Sequence, residues 1–165
     1  MPVTQSVPLR EIVFPAIVVT KWGVCHLMAS TRFVQYQMWE WIKGGWYQEM
    51  QIIDFEGKIF VVEEAANQRP VEGVFRPQWE RRYRIGTADL RIRESGHKAF
   101  DDIQKLLVAE FTEESSYASM PAFDEIRAKL TTAMDFEGLK HALKPIFDWD
   151  IKNMSDEDYT AWDRR

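Results

Sequence analysis

Cysteine and histidine are scarce in this sequence of 165 residues, which has one cysteine and three histidines. Cys25 cannot form an intramolecular disulfide, and we expect it to be a small buried apolar residue. On a strand, Cys25 and the adjacent His26 point to opposite faces, so they cannot form a catalytic pair. His97 and His141 also stand alone, without the spacing of a metal site. Because glycine-rich nucleotide loops and a Gly-x-Ser-x-Gly motif are missing too, the sequence predicts no metal, no cofactor and no catalytic residue.

Long apolar runs and an excess of positive charge are also missing. No run approaches the ~18 apolar residues of a membrane span, and residues 1–10 lack the basic and apolar regions of a secretory signal. We therefore expect a cytoplasmic protein with no membrane partner. With 21 basic and 26 acidic residues, the net charge is −5, which disfavours phosphate backbones and favours a partner with a basic surface.

Aromatic residues, by contrast, are abundant, and seven of them are tryptophans. The length and the 45% hydrophobic composition predict one globular domain over residues 1–165. We expect this domain to be β-rich over residues 1–95, helical over residues 96–147 and acidic in a tail over residues 148–165.

Runs of β-branched and aromatic residues predict strands in the first half of the chain. One run covers residues 12–20, where Pro15 indicates an edge strand or a break. A second apolar run covers residues 22–28. Residues 31–43 are ambiguous, because their aromatic residues have helical spacing but suit a strand equally well. We favour a strand there.

Two hairpins are predicted next. Residues 46–62 predict strands on either side of a short acidic turn, in which Gly57 takes a positive φ. Residues 67–77 predict a long connection. Residues 81–94 alternate arginine with apolar side chains, which predicts a second hairpin that turns at Gly86-Thr87.

The apolar period changes to 3.6 after residue 96 and predicts three helices. The first begins near Phe100, the second after Pro121, and the third after Asp135, which can cap it. Strands followed by helices predict an α+β fold, in which an antiparallel β-sheet from the N-terminal half packs against the C-terminal helices.

Charged residues offer two further kinds of site. Asp54, Glu56 and Lys58 fall in the first predicted turn, where we expect solvated side chains rather than a metal site. An arginine-rich segment that contains Trp79 and Tyr83 predicts a weaker alternative function, nucleic-acid binding. Its arginines are Arg76, Arg81, Arg82, Arg84, Arg91 and Arg93.

The acidic tail is the predicted partner-binding surface. Aromatic rings can anchor a complex, while the carboxylates around them orient a basic partner. The residues concerned are Asp148, Trp149, Asp150, Asp156, Glu157, Asp158, Tyr159 and Trp162. A different class of function, a small-molecule-binding protein or enzyme, needs a pocket between the sheet and the helices. Its predicted lining is Trp39, Trp41, Trp46 and Tyr47.

The first predicted hairpin also carries a resemblance. Gly44-Gly45-Trp46-Tyr47 is followed by Ile53-Asp54-Phe55-Glu56-Gly57-Lys58. This text is similar to a pattern in small bacterial proteins, in which a tyrosine-bearing strand leads into Ile-Asp-x-x-Gly-Lys and helices follow. Some of those proteins resemble immunity proteins that are encoded beside contact-dependent or polymorphic toxins. The resemblance implies a non-enzymatic inhibitor that binds and neutralises a toxin domain, and an acidic inhibitor suits a basic nuclease toxin.

Overall fold

The computed structural model describes residues 7–23, 25–28, 31–71 and 85–153, and of residues 32, 33 and 149–153 it describes the backbone. The strands are β1 Ala16–Val19, β2 Cys25–Met28, β3 Tyr36–Met38, β4 Gln51–Asp54, β5 Lys58–Val71 and β6 Ile85–His97. The α-helices are α1 Thr31–Gln35, α2 Trp39–Lys43, α3 Phe100–Glu110, α4 Phe123–Thr132 and α5 Phe136–Asn153. Short 3₁₀ helices cover Leu9–Glu11 and Ser116–Ser119.

The six strands form one curled antiparallel sheet in the order β2-β1-β4-β5-β6-β3. The longest strands, β5 and β6, pair with each other and change register at three places. Such irregularities add residues to one strand and increase its local twist, which curls a sheet. Strands in the N-terminal half and helices after them confirm the predicted α+β class.

The three C-terminal helices cover one face of the sheet. Ile17 and Ile53 project from the sheet into a core with Leu107, Leu130 and Leu143 of the helices, and all five are fully buried. Within α3, Ile103 and Leu107 are four positions apart and both are buried, which is the 3.6-residue period seen in the sequence. Helices α3, α4 and α5 therefore confirm the three predicted helices.

Side chains also fix the ends of these helices. Asp135 Oδ1 accepts a hydrogen bond of 2.7 Å from the Gly138 N–H, which confirms the predicted cap of α5. The Gln104 amide of α3 donates to the carbonyl oxygens of Leu130 at 2.8 Å and Ala133 at 3.0 Å. These carbonyls lie at the end of α4, where a helix has no backbone donors for them.

The opposite face of the sheet is covered by shorter pieces of chain. Val18, Ile52 and Phe60 of the sheet pack there with Ile42 of α2 and with Tyr47 of the turn that follows it. Both faces are therefore buried, by regular helices on one side and by short helices and turns on the other.

The strand predicted over residues 31–43 is wrong except at β3, because α1 and α2 occupy the rest. Val34 and Ile42, one in each helix, are buried, so the helical spacing of this segment decides its structure. The strand predicted at residues 46–50 is wrong too, because these residues form a turn before β4. The hairpin around Gly57, whose φ is 87°, is confirmed by β4 and β5.

The second hairpin, predicted to turn at Gly86-Thr87, is wrong because both residues lie inside β6. A Cβ atom on Gly86 would come within 2.6 Å of the Trp39 ring, so this glycine makes room for Trp39 rather than for a turn. The connection predicted from residue 67 is wrong as far as Val71, since β5 continues to that residue.

Three predicted boundaries change as well. β1 begins after Pro15 and lies between β2 and β4, so the proline marks a break and not an edge strand. β6 continues to His97, past the predicted β-rich segment, and α5 continues to Asn153, inside the predicted acidic tail.

Candidate functional site

Three tryptophans and a histidine from separate elements meet on the surface, and we call Trp22, Trp41, Trp46 and His26 the tryptophan patch. The Trp41 and Trp46 rings stack at a centroid distance of 4.8 Å, and Trp22 lies 6.3 Å from Trp46. His26 packs its ring edge-on against Trp46 at 5.0 Å. Trp46 is buried, whereas Trp22 is 52% and Trp41 38% exposed. The patch is therefore a buried floor with two exposed rings beside it.

A glycine turn brings Trp46 back onto Trp41. After α2, Gly45 has a left-handed φ of 92°. The Trp46 N–H donates to the Trp41 carbonyl oxygen, and the Gly45 N–H donates to the Ile42 carbonyl oxygen. These two bonds and the left-handed glycine define a Schellman motif, which reverses the chain at a helix end. The Gly44-Gly45 pair thus positions the stacked rings.

Trp22 reaches the patch from the turn between β1 and β2. The Gly23 N–H donates to the Thr20 carbonyl oxygen at 2.9 Å, which places Trp22 at the tip of this turn. The Lys21 ammonium lies 5.0 Å from the centroid of the Trp22 ring and donates to Gln48 Oε1 at 2.7 Å. The turn is thereby tied to the segment that follows the Schellman motif.

The floor of the patch contains an unsatisfied donor. Trp46 Nε1 is buried and has no hydrogen-bond partner among the residues that the structure describes. A buried donor left without an acceptor costs about 1–3 kcal/mol. A bound acceptor that reached this nitrogen would remove that cost.

The predicted opposite orientation of Cys25 and His26 is confirmed. Cys25 points into the helical core, while His26 lies against Trp41 and Trp46 on the other face. Burial raises the pKa of the Cys25 thiol to about 12, and the nearby Glu110 carboxylate adds to this shift. Because the thiolate is the reactive form, this thiol is not activated at neutral pH. Burial also lowers the pKa of His26.

A pocket of about 370 Å³ lies beside the patch. We call it the acidic pocket, because three of its lining residues are glutamates. Its polar lining consists of Tyr47, Gln48, Glu49, Glu63, Glu64 and Gln68. β4 ends its pairing with β5 near Val61, so the pocket lies where β5 continues without that neighbour. Glu49 takes a left-handed φ of 55°, which is uncommon for a residue with a side chain.

The four aromatic residues predicted to line one internal pocket make different contacts in the described part of the chain. Trp41 and Trp46 belong to the patch, and Trp39 packs against Gly86. Tyr47 contributes to the acidic pocket and donates its hydroxyl proton to the Gln35 carbonyl oxygen at 2.6 Å. Trp39, Trp46 and Tyr47 pack in the apolar cluster on this face of the sheet, and Tyr47 also lines the acidic pocket.

The predicted solvated turn is wrong for Asp54, which is fully buried. Its Oδ1 accepts hydrogen bonds from the backbone N–H groups of Glu56 at 2.9 Å and Lys58 at 3.0 Å. Asp54 thus organises the turn between β4 and β5, in the manner of an Asx turn.

Much of the predicted partner-binding tail lies outside the described residues. These are Asp156, Glu157, Asp158, Tyr159 and Trp162. The α5 backbone includes Trp149 and Asp150, and Asp148 forms an ion pair with Lys144 within α5. The tail surface stays a prediction.

The arginine-rich segment is described only at its end. Arg91 pairs with Glu64 at 2.9 Å and Arg93 with Glu63 at 2.7 Å, so both guanidinium groups face carboxylates of the neighbouring strand. The other residues named for this segment lie outside the described residues, namely Arg76, Arg81, Arg82, Arg84, Trp79 and Tyr83.

In the described part of the chain, no group of three or more His, Cys, Asp or Glu residues could hold a metal ion. Among the helices of residues 7–23, 25–28, 31–71 and 85–153, none has the length and apolar character to cross a membrane. Comparison with known proteins found no matching family model, no matching curated protein and no matching solved structure.

The sequence showed seven tryptophans but did not predict that Trp22, Trp41 and Trp46 form one patch. One signal was present for Trp22, which stands between Lys21 and Gly23 at the end of an apolar run. A large aromatic residue in such a turn has few neighbours to bury it. The contact between Trp22 and Trp46 depends on the pairing of β1 with β4, which joins distant parts of the chain.

Proposed function

We propose that this chain is a non-enzymatic protein-binding module, and that it acts as an immunity protein which binds and neutralises a bacterial toxin domain with a basic surface. The observation that carries the proposal is the tryptophan patch. Tryptophan is strongly enriched among the residues that dominate binding energy at protein interfaces. Trp22 and Trp41 are partly exposed rings of this kind, and both contact the buried Trp46 ring.

Charge supports the choice of partner. The net charge of −5 raises the encounter rate with a basic protein and opposes association with an acidic one. The resemblance of the first hairpin to immunity-type proteins supports a toxin domain as that partner, because such inhibitors cover the basic surface that a nuclease uses for phosphates.

The test is calorimetric titration of the intact chain with the protein encoded by the neighbouring gene. We expect a complex in which Trp22→Ala combined with Trp41→Ala weakens binding about 30-fold or more, as for two interface anchors. Met134→Ala is the matched control, because Met134 is 91% exposed and lies between α4 and α5, away from the patch. It should leave the affinity unchanged.

Two further arms test the partner chemistry and the competing surface. Affinity should fall as salt is raised, because charges at the rim of an interface are screened. Tyr159→Ala combined with Trp162→Ala should matter less than the patch variants. Absence of any complex, or a complex that ignores both the patch variants and salt, would contradict the proposal.

A further inference from the structure

The turn between β1 and β2 is held by its lysine. Lys21 Nζ donates to Gln48 Oε1 at 2.7 Å and to the Gly44 carbonyl oxygen at 3.3 Å. The same ammonium lies 5.0 Å from the centroid of the Trp22 ring, whose π electrons attract a cation. Lys21 therefore joins the Trp22 ring to the turn that carries Trp46.

Gly45 leaves room for this contact. A Cβ atom on Gly45 would lie 2.5 Å from Lys21 Nζ and 2.8 Å from Gln48 Oε1. Unbonded atoms do not come this close, so the ends of both side chains would have to move. The missing side chain thus serves the Schellman motif and also the reach of the lysine.

Packing alone restrains Trp22 weakly. The ring is 52% exposed, and its contact with Trp46 is tilted by 41° at a centroid distance of 6.3 Å. A side chain that becomes fixed only when a partner binds loses rotamer freedom in the complex, which lowers affinity about two- to tenfold. A restraint that acts in the free chain avoids much of this loss.

We propose that Lys21 is a positioning residue of the tryptophan patch, and that its ammonium holds the Trp22 ring beside Trp46 before the partner binds. This inference rests on the proposed function, in which Trp22 is an anchor of the interface. The contact needs a long side chain with a positive charge and hydrogen-bond donors, which arginine also has and methionine lacks. Lys21→Met and Lys21→Arg therefore separate the effect of charge and donors from that of length.

The first test measures the order of Trp22 in the free, isotope-labelled full chain. In Lys21→Met we expect a lower heteronuclear NOE of the Trp22 indole N–H and an unchanged NOE of the Trp46 indole, since Trp46 is buried. Lys21→Arg should keep the NOE of the unmodified chain. Lys43→Met is the matched control, because the Lys43 ammonium lies 6.0 Å from the Trp39 ring, which is outside the patch. It should leave the Trp22 NOE unchanged.

The second test is calorimetric titration with the protein encoded by the neighbouring gene. We expect Lys21→Met to weaken the complex about threefold and Lys21→Arg to leave the affinity unchanged. The direction of the effect is diagnostic, because loss of a positive charge from this acidic chain should strengthen its attraction to a basic partner. Lys43→Met, which loses the same charge, should therefore bind equally well or more tightly.

An unchanged Trp22 NOE in Lys21→Met, or an equal loss in Lys43→Met, would overturn the proposal. So would a lower Trp22 NOE with full affinity for the partner, since the restraint would then have no role in binding. Absence of any complex would instead contradict the proposed function, and the NOE measurement would still decide whether Lys21 holds Trp22.

Discussion

The two faces of the sheet are buried in different ways. Helices α3, α4 and α5 cover one face with leucine, isoleucine and phenylalanine at regular helical spacing. Short helices and turns cover the other face, and there large aromatic rings stay partly exposed. The comparison indicates a division of roles. The helical face supplies most of the regular apolar packing, whereas the aromatic face carries the features suited to binding.

The sharpest way to break this comparison is a pair of aromatic truncations. Phe111 is fully buried on the helical face, in stacking contact with Tyr117 at 4.8 Å. Phe111→Ala should lower the free energy of unfolding by about 3–5 kcal/mol through lost burial and a cavity. Trp22→Ala should change it by no more than about 0.5 kcal/mol, the usual range for surface sites. Urea titration measures both values, and equal losses would contradict the division.

A pair of glycines gives the next largest difference. Gly57 has a φ of 87°, and an added Cβ would lie 2.7 Å from the Lys98 carbonyl oxygen and 3.2 Å from the Phe136 ring. Gly23 has a φ of 73°, but no atom of the described residues beyond its chain neighbours lies within 4 Å of an added Cβ. Gly23→Ala should cost about 1–2 kcal/mol for the left-handed backbone alone. Gly57→Ala should lower the free energy of unfolding clearly more, because the clash of its Cβ with the Lys98 carbonyl oxygen adds to the same backbone strain. Thermal unfolding of both variants measures the difference. Equal losses of stability would argue against close contact at Gly57.

His26 should make the aromatic face sensitive to pH. Its pKa in the folded protein lies below the ordinary value of 6.5, because burial disfavours the charged ring. Above 6.5 the ring is neutral in both states and has no effect on stability. As pH falls below 6.5, the unfolded state takes up the proton first, so stability declines until the lower folded pKa is passed. Urea midpoints across this range should decline more steeply for the unmodified chain than for His26→Gln, and parallel curves would contradict the expectation.

The smallest expected effect has the opposite sign. Glu49→Gly should raise the free energy of unfolding by about 0.5 kcal/mol, since glycine adopts its left-handed φ without steric cost but loses more entropy on folding. Urea titration of both chains measures this difference. A loss of stability in the variant would show instead that the Glu49 side chain holds the turn.

The helical face was the more predictable of the two, for a physical reason. Its helices are predicted by local sequence signals, namely the 3.6-residue apolar period and the Asp135 cap, which acts within a single turn. The hairpin around Gly57 was equally local. None of these elements needed knowledge of the rest of the fold.

The aromatic face was predicted poorly because its structure depends on distant contacts. Gly86 suggests a turn in the sequence, yet it lies within a strand because Trp39, far away in the chain, occupies the space above it. The candidate site shares this dependence. Trp22 and Trp46 are 24 positions apart in the sequence and meet through the sheet. In the tail, by contrast, aromatic and acidic residues are close in the sequence itself, so the sequence favoured the tail as the binding surface.

The hydrogen bonds of Gln104 have a consequence for local opening of the molecule. The Gln104 side chain of α3 donates to two carbonyl oxygens at the end of α4, so fraying of this end also breaks its hydrogen bonds to α3. The two helices are therefore expected to open as one cooperative unit, with similar protection of their amides against exchange with solvent.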